Sequence, residues 1–108
     1  MSRTHILKTW PSQWRAVASG EKRFEIRIND RDFSVGDVLD LRMFDPTPTA
    51  EYDGWCLREQ AKWIPGETYQ DRALSLRARV THVVHGGRFG IDPRYCVMSI
   101  AKIDGGAG

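Results

Sequence analysis

The 108-residue chain has two cysteines, no long apolar run and no strong excess of either charge. Each shortage excludes something. Cys56 and Cys96 lie 40 positions apart and match no zinc-binding or redox spacing, so they read as free thiols in a reducing compartment. No segment approaches the roughly 18–20 apolar residues of a membrane span. The opening MSRTHILKTW lacks the apolar core of a secretory signal, so a cytoplasmic protein without a membrane partner is expected. Sixteen basic and fourteen acidic side chains leave a net charge of +2, outside the regime in which charge alone dictates a polyanion partner. Phosphate-loop, dinucleotide and serine-elbow motifs are missing, and Gly86-Gly87-x-x-Gly90 has the wrong spacing for a dinucleotide fingerprint. Neither a cofactor nor a metal is expected.

What remains is the composition of one folded domain, 41% hydrophobic and 28% charged, spanning residues 1–108. Residues 4–8 (THILK) read as a first strand, β1. Pro11 suits a first helical turn and Gly20 a left-handed helix end, with Trp14, Val17 and Ala18 forming one apolar stripe between them; this is helix α1. Residues 22–28 (KRFEIRI) alternate as β2, with Phe24, Ile26 and Ile28 on one face and Arg23, Glu25 and Arg27 on the other. Val35-Gly36-Asp37 turns into β3 at 38–44, where Leu39, Leu41 and Met43 alternate with Asp40 and Arg42. A long β4 at 75–85 places Leu76, Ala78, Val80, His82 and Val84 on one face, making His82 a core or half-buried histidine. A glycine-rich turn then leads to β5 at 95–103, and 105–108 reads as a frayed tail. His82 and His85 fall on opposite strand faces, against a shared metal. The fold class expected is α+β: a small mixed β-barrel of five to six strands, with one N-terminal helix and an insertion at about 46–75.

That insertion carries Tyr52, Trp55, Trp63 and Tyr69, and residues 57–62 (LREQAK) suit a short helix. Its aromatics either close a small second core or form a protein-binding surface. Charge divides along the same line. Residues 45–75 carry three basic and six acidic side chains, while the flanking segments sum to +5, so the weak net charge conceals a basic body.

The segment Gly20-Glu21-Lys22-Arg23-Phe24-Glu25-Ile26-Arg27 gathers Arg23, Glu25 and Arg27 on one strand face, with Lys22 at its start. This is either a charge ladder on a solvated surface or a recognition device lining a cleft. In a cleft, Arg27 offers a fork to phosphate or a base edge, and Glu25 accepts from an amine. Lys8 and Trp10 precede the helix N-terminus, where Trp10 either stacks on a base or staples the helix to the barrel.

The signature Gly20-x-Lys22-x-x-Glu25-x-Arg27, followed by Asn29-Asp30-Arg31-x-Phe33-x-Val35-Gly36-Asp37, resembles the ASCH family within the PUA-like superfamily. With His5-x-Leu7-Lys8-x-x-Pro11 and Gly86-Gly87-x-Phe89-Gly90-Ile91, it is similar to a small subgroup of ASCH-like proteins. The resemblance implies a PUA-like barrel with a cleft beside the first helix that meets RNA or modified nucleotides. It points to Lys22, Glu25 and Arg27, with His5, Lys8 and Trp10 nearby. The reading favoured is an RNA-binding or modified-nucleotide-binding domain acting through Lys8, Trp10, Lys22, Arg27, Asn29 and Arg31. The alternative is a small hydrolase. An ASCH-like amidohydrolase acting on acylated cytidine uses a threonine nucleophile where this chain has Glu25, so a ribonuclease suits these residues better than a nucleoside amidohydrolase. In it, Glu25 is the base, Lys22 and Arg27 stabilise phosphorane charge, and His5 or His85 is the acid. Oligomeric state is left open by the sequence.

Overall fold

A computed structural model describes residues 2–43 and 75–103. The insertion, with its expected short helix at 57–62, Cys56 and the four insertion aromatics, lies outside the described residues, as does the expected tail. Six elements are described: β1 (Thr4–Thr9), α1 (Pro11–Ser19), β2 (Phe24–Ile28), β3 (Val38–Met43), β4 (Ser75–His85) and β5 (Tyr95–Lys102). The strands form one mixed sheet in the order β1-β3-β4-β5-β2, parallel between β1 and β3 and antiparallel elsewhere. No described helix is long and apolar enough to cross a membrane.

β1 and β2 are the two edges of this sheet, yet their side chains meet. Arg27 of β2 donates from Nη1 to the Lys8 carbonyl at 3.0 Å and from Nη2 to Thr9 Oγ1 at 3.1 Å. Arg31, just beyond β2, donates to the Ile6 carbonyl at 2.8 Å. Arg3, just before β1, donates back to the Arg31 carbonyl at 2.9 Å and to the Asp32 carbonyl. The sheet thus curls into a half-barrel whose open seam is bridged by guanidinium groups rather than by a strand ladder. Edge carbonyls that would otherwise invite another strand are occupied.

Helix α1 follows β1 at once. Pro11 occupies its first turn, and Gly20 ends it at φ 86°, a left-handed conformation that costs glycine little. Val17 is buried in the core, while Trp14 and Ala18 pack against it. The Trp14 indole donates to the Leu41 carbonyl at 2.9 Å, so Trp14 joins the helix to β3.

The core comprises Leu7, Val17, Phe33, Leu39, Leu41, Leu76, Ala78, Val80, Cys96, Met98 and Ile100. One expectation about strand faces is corrected. In β4 a bulge intervenes between the pairs Val80–Ile100 and His82–Ser99, and the Thr81 hydroxyl donates to the Ser99 carbonyl across it. One extra residue flips the following side chains. His82 is therefore exposed, not in the core, and Val83 packs inward in its place. In β3, Asp40 is buried along with Leu39 and Leu41, held by both Nε and Nη2 of Arg42 at 2.9 Å. Beyond β4 the turn is tight at Gly86, where a Cβ would come within 2.0 Å of the Asp92 carbonyl oxygen.

The interior also holds a buried carboxylate hydrogen-bonded to an imidazole. His5 Nε2 lies 2.9 Å from Asp37 Oδ2, and Asp37 further accepts from the backbone amides of Arg3 and Ser34 at 3.1 Å. Burial opposes ionisation of Asp37. The hydrogen bonds from His5, Arg3 and Ser34, with the charge of His5, outweigh it and hold the carboxyl below its usual 3.8. A depressed folded value adds stability that is complete above the unfolded pKa and is lost as pH falls through the folded one. Asp37→Asn is expected to cost about 1–3 kcal/mol near neutrality. It also flattens the decline in stability below about pH 4, where the unfolded carboxyl begins to protonate. Urea unfolding at stepped pH measures both.

Candidate functional site

The site begins with the parity of β2. Its partner β5 buries Cys96 and Met98, and these pair with Arg27 and Glu25 respectively. Neighbours across a ladder share a face, so Glu25 and Arg27 point into the half-barrel. Phe24, Ile26 and Ile28 pair with Ser99, Val97 and Tyr95 and point outward, 43%, 54% and 50% exposed. The strand is thus inverted relative to a hydrophobic-in reading: the charged face is inside. The surface charge-ladder alternative is excluded for Glu25, which is only 2% exposed.

A buried carboxylate needs partners, and Glu25 has two. Arg27 Nε donates to Oε1 at 3.0 Å, and Lys22 Nζ donates to Oε2 at 3.2 Å. Lys22 also donates to Gln13 Oε1 at 2.9 Å and sits 5.2 Å from the centre of the Phe24 ring. Arg27 spans the seam to Lys8 and Thr9. These contacts line a cleft of about 210 Å³ formed by Lys8, Thr9, Trp10, Gln13, Lys22, Glu25, Ile26 and Arg27. It lies beside the first turn of α1. Trp10 is 57% exposed at its rim, and the indole of Trp14 bonds the helix to β3.

Of the residues expected at the site, Lys8, Trp10, Lys22, Glu25 and Arg27 converge on this cleft. Four others, His5, Asn29, Arg31 and His85, do not. His5 faces the interior from β1 and is bound to Asp37, with its ring edge-on to Phe33 at 4.8 Å between centroids. It lies four residues, about 13 Å of strand, from Thr9. Asn29 orders the turn after β2: its Oδ1 accepts from the Phe33 amide, and its Nδ2 lies 3.5 Å from His85 Nδ1. Arg31 bridges the seam and lines a neighbouring cleft of about 290 Å³ with Leu7, Arg27, Ile28, Phe33 and Tyr95. The two clefts share Ile26 and Arg27. The Arg27 fork expected to grip a phosphate or base edge is directed at Lys8 and Thr9 instead.

Thr9 and Gln13 were missed by the sequence reading. Thr9 follows His5 and Leu7 on the inward parity of β1, a signal that alternation carried. Gln13 shows itself only once the first turn of α1 is placed against β2.

Cys96 supplies no nucleophile. Burial raises its thiol pKa, aided by the negative charge of Asp30. Among the described residues, no group of three His, Cys, Asp or Glu is placed to hold a metal ion.

A protein-family model described as "Domain of unknown function (DUF3850)" matches residues 4–100, which include every described strand in full or in large part and all the residues of the cleft. No curated protein matches the chain.

Removing Arg27 takes a partner from a buried carboxylate and opens the seam. Arg27→Ala is expected to destabilise by about 2–4 kcal/mol. Arg27→Lys recovers only part of this, because one ammonium cannot reach Glu25, Lys8 and Thr9 together. Chemical denaturation of both variants tests the ranking.

Proposed function

Because the chain belongs to the DUF3850 family, a domain of unknown function, its activity is read from the cleft itself, and we propose that it is a nucleic-acid-binding domain that takes RNA or a modified nucleotide beside α1. The observation that carries this reading is the exposed Trp10 at the rim of a cleft whose floor is a buried carboxylate between two cations. An aromatic face accepts a stacked base, and Lys8 and Lys22 provide positive charge for its phosphate. The volume of the cleft suits one extruded base rather than a duplex, which fits recognition of single strands. The half-barrel, the helix after β1 and the gathering of Lys22, Glu25 and Arg27 around one cleft also support an ASCH-like domain of the PUA-like superfamily. The buried free thiol of Cys96 suits a cytoplasmic setting.

RNA cleavage is the second reading, favoured by the placement of Glu25 between Lys22 and Arg27. Binding is preferred because neither of the two histidines expected as the acid, His5 and His85, lines the cleft.

Incubation with mixed RNA and DNA oligonucleotides, with and without divalent cations, tests the two together. Single-stranded RNA is expected to bind without being cut, with affinity falling steeply as salt rises. Trp10→Ala weakens binding by about 1–3 kcal/mol, and Lys8→Ala lowers the salt slope by about one counterion. Binding indifferent to both salt and Trp10 overturns the proposal; cleavage that is lost in Glu25→Gln supports the second reading.

A further inference from the structure

We propose that the cleft selects bases carrying a ring N–H beside a carbonyl, the lactam edge of uracil and guanine, over adenine and cytosine. This rests on the nucleic-acid reading above and names the ligand class of the same site.

The argument starts from hydrogen-bonding capacity left over once the protein's own contacts are counted. Lys22 has three N–H bonds, of which Gln13 and Glu25 take two. Arg27 has five, of which Glu25, the Lys8 carbonyl and Thr9 take three. Each Glu25 oxygen accepts one of these contacts and retains a second lone pair. All three side chains line the cleft, and Glu25 lies between the other two. Along the lining, Lys22, Glu25 and Arg27 thus follow one another as donor, acceptor and donor. Gln13 adds to the donors: its Oε1 faces the Lys22 ammonium, which can only donate, so its amide nitrogen is turned away from Lys22.

A lactam edge is the complement of this row. Uracil offers carbonyl, N–H, carbonyl, one group for each of Lys22, Glu25 and Arg27. Guanine offers a carbonyl followed by two N–H donors, which a carboxylate accepts as a pair while one cation meets the carbonyl. Cytosine and adenine instead carry a bare ring nitrogen on that edge, and a carboxylate facing it is repelled rather than satisfied. They complete the row only in part, and a partly satisfied polar site in a buried setting is costly. Rigidity strengthens the selection. Glu25 is clamped from both sides and Arg27 is fixed at the seam, so the row does not rearrange to suit a mismatched base.

The test uses the full chain and eight nucleoside monophosphates at one salt concentration. They are those of uridine, guanosine, cytidine and adenosine, together with 3-methyluridine, 1-methylguanosine, inosine and 3-methylcytidine. Uridine or guanosine monophosphate is expected to bind roughly tenfold to a hundredfold more tightly than those of cytidine and adenosine. N-methylation of the ring N–H should remove that advantage while leaving the stacking face and phosphate intact. The uridine and guanosine arms separate a three-group imide edge from a paired-donor edge, and inosine, which lacks the exocyclic amine, isolates the lactam itself. Glu25→Gln should level the preferences. Because the methylated ligands probe the same contact on the native protein, a variant that fails to fold does not remove the test. Equal binding of all the bases, or tighter binding of cytidine or adenosine, overturns this inference and leaves the nucleic-acid proposal standing. No binding by any of them, nor by oligonucleotides, overturns both.

Discussion

Arg27 ties together two strands, β1 and β2, that no backbone ladder joins among the described residues. Its guanidinium neutralises Glu25 inside the half-barrel while its other nitrogens hold the Lys8 carbonyl and Thr9 hydroxyl of the opposite sheet edge. One rigid, planar cation thus solves two problems: a carboxylate taken out of water, and two strand edges without a ladder partner among the described residues. Arg31 and Arg3 repeat the second solution further along the seam. Because the cleft lies where this seam meets the first turn of α1, the groups that close the half-barrel also shape its floor.

This arrangement makes the interior of the half-barrel more polar than its outer wall at β2. His5, Thr9, Glu25 and Asp37 are buried, while Phe24, Ile26 and Ile28 are exposed. Burying charge costs desolvation, and each of these carboxylates is met by cations or backbone amides at hydrogen-bond distance. The Asp37 cluster is sealed, with His5 turned to it and Phe33 against the ring. The Glu25 cluster opens onto solvent through the cleft. That difference separates a structural hydrogen-bonded pair from a site able to receive a ligand.

Much of this was readable along the chain. Pro11 and Gly20 bound α1 because each has a backbone preference of its own, and β4 was legible in the alternation of Leu76, Ala78 and Val80. Lys22, Glu25 and Arg27 stood out because charge on every second residue of a strand is a local pattern. The inward side of β2 was not readable, since alternation defines two faces without naming which is buried. The register with Cys96 and Met98 on β5 decides it, and that register joins residues some 70 positions apart. The bulge after Val80 was equally hidden, because one unpaired residue leaves no composition signal yet moves His82 from core to surface.

The sequence by itself determined the elements, the helix ends and the residue types available for chemistry, all of which depend on local backbone preference and periodicity. Tertiary structure alone decided which of those residues share a site. It brought Lys8, Thr9, Trp10 and Gln13 to Lys22, Glu25 and Arg27, turned His5 toward Asp37, and set the Arg27 fork across the seam. The reason is physical: whether a charged side chain faces water, a partner or a cleft depends on desolvation and pairing across strands distant in sequence, and neither quantity exists until the sheet has curled.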